Sequence, residues 1–379
     1  MTYSIFNRVL VMSENFEYLD RLIHSGESEI VLDCDIVLSG IEESKYENGI
    51  DLDVDDMIID GNGFNVDACK KTRLFYCTGE NITIKNMALK NGFSRENGGA
   101  IHVDEGELIL TGCVLDFNAS DEDGGAVFNE EGKLSIEKSV ISNNSCGDFG
   151  GAINNWGELS IVDSKLNDNR ANKGGAVFND DGKLNVIESE LCRNSANEGG
   201  AIFNNDGGDL TIEKSVLDEN RAETGGAIFN SESDLKIFDS KFNVNAASEN
   251  GGAIHNSSDL SITESELNLN RADCSGGAIY NHKADLVIVK SIFGENASKN
   301  GGAIHNYDSE MSVKESVFEK NAADNGGALD NVKSVFDVNK SEFSENTAKN
   351  SGGAIRLENS QYESDNINFR DNVPDDVSQ

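Results

Sequence analysis

The tripeptide Gly-Gly-Ala followed by an aliphatic residue returns eleven times along this chain, starting at Gly98, Gly124, Gly150, Gly174, Gly199, Gly225, Gly251, Gly276, Gly301, Gly326 and Gly352. The ten intervals run from 24 to 26 residues and sum to 254, a mean of 25.4. Each period also carries Leu-x-Ile and then Ser-x-[Phe/Leu]-x-x-Asn. Residues 199–224 show it: Ile202 and Asn204, Leu210 and Ile212, then Ser215, Leu217 and Asn220. Alternation at spacing two marks strands, and no segment of the array holds a 3.6-residue stripe long enough for a helix. Three short strands per period of near-constant length describe a solenoid whose coils cannot bury their apolar faces alone.

The expected fold is therefore all-β: a single-stranded right-handed parallel β-helix with three short strands per ~25-residue coil and coils stacked ~4.8 Å apart. About fourteen coils would span roughly 65 Å at that spacing. The apolar columns are explicit. Leu134, Leu159, Leu184, Leu210, Leu235, Leu260 and Leu286 form one, and Ile136, Ile161, Val186, Ile212, Ile237, Ile262 and Ile288 the next. A third runs from Ile141 through Leu217 and Phe242 to Phe343. Asparagines from Asn129 to Asn331 close the first strand, and Asn144 to Asn346 close the third. Stacked amides bond along an axis, so these asparagines read as architecture and not as ligands.

The expected boundaries are 1–28 for an N-terminal segment with a capping helix, 29–97 for irregular early coils, 98–372 for the regular array and 373–379 for a tail. Within 13–25, Phe16, Leu19, Leu22 and Ile23 share one helical face that stops at Gly26, a cover for the open end of the core. Residues 29–38, 57–66 and 81–89 read as early strands.

Charge limits the partners. Lys plus Arg is 31 and Asp plus Glu is 68, giving 31 − 68 = −37. Such a chain repels phosphate backbones and acidic lipid surfaces, so no nucleic-acid partner is expected. No apolar run approaches the ~20 residues of a membrane span, so no membrane insertion is expected either. Met1 to Met12 hold no sustained apolar core of a secretory signal, and Arg370 to Gln379 no anchor. The cysteines (Cys34, Cys69, Cys77, Cys113, Cys146, Cys192 and Cys274) form no metal spacing and share no column. Neither metal, cofactor nor axial disulfide is expected.

From Ile58 to Ser94, IIDGNGFNVDACKKTRLFYCTGENITIKNMALKNGFS leads into the first GGAI. This resembles the start of right-handed β-helix, adhesin-like proteins of methanogenic archaea. The GGA[IV] and FxxN recurrences also resemble chlamydial polymorphic outer-membrane proteins. The likeness extends from about Phe16 to Asn372. It implies a pectin-lyase-like solenoid, display at the cell surface or secretion, and a non-enzymatic role in binding a cell-surface or polysaccharide partner. The same scaffold hosts polysaccharide lyases and glycoside hydrolases, which makes a carbohydrate-active enzyme the alternative.

Two residue sets are candidates for contact. The position between the aliphatic residue and the ladder Asn of the first strand is occupied by Phe128, Phe178, Phe203, Phe229, His255, Tyr280 and His305, with His102, Asn154, Asp330 and Arg356 in the same column. Alternation turns it away from the core, so an outward, stacked aromatic stripe is expected, whose rings either stabilise the sheet by stacking on one another, the preferred reading, or form a binding face. The second set surrounds the single Trp156: Glu130 and Glu131 one coil earlier, Asp180 and Asp181 one coil later. Two coils place the acidic pairs ~9.6 Å apart, near the separation of an inverting carboxylate pair, with an indole between them to stack a sugar. On so acidic a chain a solvated loop is the preferred reading of these residues, and no catalytic residue is assigned.

Overall fold

In a computed structural model describing residues 13–379, the chain is an all-β parallel solenoid of right-handed coils. Met1–Met12, read above as lacking a signal segment, lie outside the described residues. Two sheets of fourteen parallel strands run the length of the molecule. The first face holds the Gly-Gly-Ala strands, from Ile50–Leu52 to Val377–Ser378. The second holds the Leu-x-Ile strands, from Glu29–Val31 to Gln361–Asp365. The third face has seven strands, then isolated bridges through Glu190 and Val216, then six more strands.

Register follows the repeat: Leu210 pairs with Leu235, Ile212 with Ile237, and Phe293 with Phe318. The three apolar columns are buried along the axis and fuse into one core. Polar ladders close the corners. Asn129, Asn155, Asn179, Asn204, Asn230, Asn256, Asn281 and Asn306 each donate from Nδ2 to Oδ1 of the next. In the other ladder each Oδ1 accepts from both the backbone N–H and the side chain of the preceding Asn. In a serine column each Oγ accepts the backbone N–H of the preceding Ser and donates to the carbonyl two residues before it, and Cys113 stands at its start, its N–H donating to Ser139 Oγ at 3.0 Å. All seven cysteines are free thiols.

The Gly-Gly corner has a steric cause. Gly225 sits at φ +64, a left-handed conformation that L side chains resist. A Cβ on Gly226 would fall well inside contact with the carbonyl oxygen of Gly252, the equivalent glycine one coil on. Coils at strand spacing leave no room there for a methyl group.

The N-terminal helix spans Phe16–Ile23, with Asn15 as its cap accepting from the Tyr18 N–H at 3.0 Å. Phe16, Leu19 and Ile23 are fully buried over the end of the core, and Leu22 packs beside them. Residues 39–49 form an irregular loop anchored to this helix. Glu42 accepts the Glu17 N–H at 2.9 Å, and the Tyr46 hydroxyl donates to Asp20 at 2.7 Å. No helix among the described residues is long and apolar enough to cross a membrane.

Candidate functional site

The outer side of the first face carries two columns of side chains, because strand alternation turns the aliphatic residue and the ladder Asn inward. The first column is the aromatic stripe. Its rings stack in register: Phe178 to Phe203 at 5.2 Å, Phe203 to Phe229 at 4.8 Å, Phe229 to His255 at 4.5 Å, His255 to Tyr280 at 4.9 Å and Tyr280 to His305 at 5.5 Å. The reading of the stripe as an exposed binding face is corrected here. Phe128, Phe178 and Phe203 are buried, the last only 4% exposed, and His305 is buried as well. Phe229, His255 and Tyr280 are half-buried.

At two coils the cover comes from the residue just before the Gly-Gly, which reaches over the ring of the following coil. Phe149 stacks on Phe178 at 4.6 Å, and Lys173 Nζ lies 4.6 Å from the centre of the Phe203 ring. Where the stripe holds Asn154 in place of a ring, Phe149 fills in on one side. On the other side Trp156 meets Phe128 edge-on at 5.1 Å. Asp123 lies beside buried Asn154, and burial pushes its carboxyl up to about 6.

The Trp156 set is less assembled than its spacing implies. Trp156 is 42% exposed, and its ring leans toward Phe128. Glu130 turns back one coil to His102 Nε2 at 2.9 Å, whereas Asp180 turns forward one coil and accepts from Asn205 at 2.8 Å. Glu131 and Asp181 stand in solvent at left-handed turn positions. The two inner carboxylates therefore lean away from each other. Burial, then the Arg73 charge, pull His102 below its ordinary value, against the pull of Glu130.

The second outward column went unread. It lies two residues beyond the stripe and contains His282 and Tyr307. With Tyr280 and His305 these make a square of four rings: Tyr280–His282 at 6.1 Å, His282–Tyr307 at 5.5 Å, and His305–Tyr307 at 6.5 Å. Tyr280, His282 and Tyr307 are half-exposed. Lys333 Nζ sits 3.1 Å from the Tyr307 hydroxyl and 5.3 Å from its ring centre. Buried Asp330 ties the platform to the next coils, accepting from His305 Nδ1 and Arg356 Nη1, both at 2.9 Å. A corner cavity of about 350 Å³ opens beside the rings, flanked by Lys283, Asp308 and Lys333. Burial and then the Lys283 charge lower the pKa of His282. Alternation alone, applied two residues further along the strand, would have found His282 and Tyr307.

Among the described residues no group of three or more His, Cys, Asp or Glu is placed to hold a metal ion. Burial pushes the Cys77 and Cys146 thiols up to about 12 and Cys113 up to about 11, so these sulfurs are packing atoms rather than nucleophiles.

Residues 340–358 match the Chlamydia polymorphic membrane protein (Chlamydia_PMP) repeat. That segment is similar to one such repeat. It holds Phe343 of the core column, Asn346 of the ladder and the Gly352-Gly353-Ala354-Ile355 corner, so the matched pattern is the pattern that builds a coil. No curated protein matches the chain.

Proposed function

We propose that the protein is an adhesin-like β-solenoid that holds a cell-surface or polysaccharide partner on the outer side of its first face, without catalysing a reaction. The observation that carries this reading is the platform of Tyr280, His282, His305 and Tyr307 with Lys333 at its edge. Half-exposed rings held rigidly by the sheet lose little freedom on binding, and a cation beside them adds a polar handle. The buried rings Phe128, Phe178, Phe203 and their neighbours serve this face as a stacked support. The repeat match and the solenoid fold agree with a surface adhesin. Glu130 and Asp180, each engaged with a different neighbour, favour binding over hydrolysis.

The test is adhesion of the purified chain to cells and to immobilised polysaccharides, for the parent and for His282→Ala combined with Tyr307→Ala. Lost adhesion with an unchanged melting temperature is the expected result. Equal adhesion by both proteins would sink the platform. Release of reducing sugar ends would overturn the non-enzymatic half of the reading.

A further inference from the structure

We infer that the second face pairs with the second face of another copy of this chain, the two solenoids running in opposite directions. The pair leaves the first face free, so it does not depend on the ring platform. A shallow groove of about 330 Å³ runs along four coils of the second face. Its floor is the middle outward residue of each strand, in order Ile109, Ser135, Ser160 and Asn185, all half-buried. One bank is the outward residue two positions earlier: Glu107, Lys133, Glu158 and Lys183. Short side chains along the floor let a second sheet approach, as packed sheets do at ~10 Å.

Charge decides what lies opposite. The bank alternates in sign over these four coils and then turns uniformly acidic, through Asp209, Asp234, Asp259, Asp285 and Glu310. A twofold axis in the plane of contact, parallel to the strands, keeps each outward column over itself and reverses the order of the coils. Placed between the coils of Lys133 and Glu158, it sets Glu107 against Lys183, and Lys133 against Glu158, of the other copy. The reciprocal pairs follow by symmetry, giving four attractive contacts along this bank. Ser135 then meets Ser160 in the floor. On the far bank, one coil further out, Lys85 meets Glu213. Moving the axis one coil toward the C-terminus would set Glu107 against Asp234 and Glu137 against Glu213. Like charges therefore disfavour that slip.

The contact is small. Six coils at ~4.8 Å by five residues at ~3.3 Å give roughly 470 Å² of face per copy, under the ~800 Å² per partner of a stable complex. Exposed ion pairs add little each, so the pair is weak, with a Kd of about 100 μM. The general repulsion between two chains of −37 is screened beyond about 8 Å at physiological salt, which leaves the facing charges to set the register.

Sedimentation equilibrium of the full chain at about 0.15 M salt, from about 10 to 500 μM, tests this. A reversible monomer–dimer equilibrium is expected. Lys133→Glu sets acidic groups against each other on both sides of the axis and should weaken the dimer about tenfold or more; Glu158→Lys does the same with basic groups. Both positions are exposed, so neither change should move the unfolding midpoint. Mixed together, the two variants should dimerise as tightly as the parent, because each supplies the charge that the other lacks. Neighbouring charges of the bank also attract within one copy, and the double variant separates the two effects. Lys133→Glu with Glu158→Lys destroys the alternation inside each copy yet restores every facing pair, so it should recover the parent's affinity. A chain that stays monomeric throughout, a mixture that dimerises no better than its components, or a double variant as weak as the single ones would each overturn the pairing. A dimer lost on Tyr307→Ala would place the contact on the first face and overturn it as well.

Discussion

The ammonium group of Lys173 lies 4.6 Å from the centre of the Phe203 ring, a residue of the following coil. Phe149 makes the same reach to Phe178. These two coils thus cover the outward ring of their successors, and there the stripe becomes a second, thin layer of packing outside the first face. The coupling between neighbouring coils then resides on both sides of the sheet, in the aliphatic columns within and in the ring stack without.

Replacing Phe203 with Ser should therefore destabilise the protein, by about 2–4 kcal/mol. The ring is held by Phe178 at 5.2 Å, Phe229 at 4.8 Å and Lys173, and Ser leaves that space unfilled. Urea unfolding measures it. A midpoint equal to that of the parent would return Phe203 to a purely outward, partner-facing role.

Period and alternation made the inner columns, the ladders and the capping helix legible, because each coil repeats the same inward residues and nothing else competes for them. Ile212, Asn220 and Phe16 all stand where spacing predicts. The cover over the stripe was not legible. Alternation says that Phe178 points away from the core, but not that Phe149, in the previous coil's turn, lies upon it. Turn residues follow no period-two rule, so their reach across coils is set by the Gly-Gly corner's geometry.

Substituting Ala for Gly226 tests the close approach of the coils. The added Cβ meets the Gly252 carbonyl oxygen, and backbone, unlike a flexible side chain, cannot swing aside. A loss of about 2 kcal/mol or more is expected, as for overpacking at a rigid contact. The outward, exposed position Glu223, changed to Ala, should by comparison shift stability by less than about 0.5 kcal/mol. Equal unfolding midpoints for the two variants would contradict the steric account of the motif.

The asparagine ladder predicts an order among variants. Asn220 Oδ1 accepts from the Asn194 N–H at 2.9 Å, and its Nδ2 donates to the Leu191 carbonyl at 2.9 Å and to Asn245 Oδ1 at 3.1 Å. Ala orphans the Asn194 N–H and the Leu191 carbonyl inside the protein, a cost of about 2–4 kcal/mol. Asp keeps the acceptor yet sets a carboxylate against two acceptor oxygens in a buried place, so at pH 7 Asn220→Asp should be the less stable of the two. Denaturation of both at pH 7 decides this, and the reverse order would mean that the ladder acts by shape alone.

The last prediction concerns acid. His255 lies between the rings of Phe229 at 4.5 Å and Tyr280 at 4.9 Å, and burial, followed by the His282 charge, pulls its pKa down to about 4. In the unfolded chain an imidazole titrates near 6.5. The folded protein therefore holds His255 neutral where the unfolded chain binds a proton. Above pH 6.5 both states are neutral and no stability is lost; as pH falls from about 6.5 to about 4, stability drops by about 3 kcal/mol. Below that both states are protonated and the loss levels off. His255→Phe continues the ring column of Phe178, Phe203 and Phe229 and removes the titration. Its stability relative to the parent should accordingly change little above pH 7 and rise by about 3 kcal/mol toward pH 4, while carboxylates common to both proteins cancel in the difference. Urea midpoints at pH 7.5, 6 and 4.5 measure that difference directly. A gap that stays constant with pH, or a His255 ring proton that titrates near 6.5 in the folded protein by NMR, would show that the imidazole is not held in the stack as described.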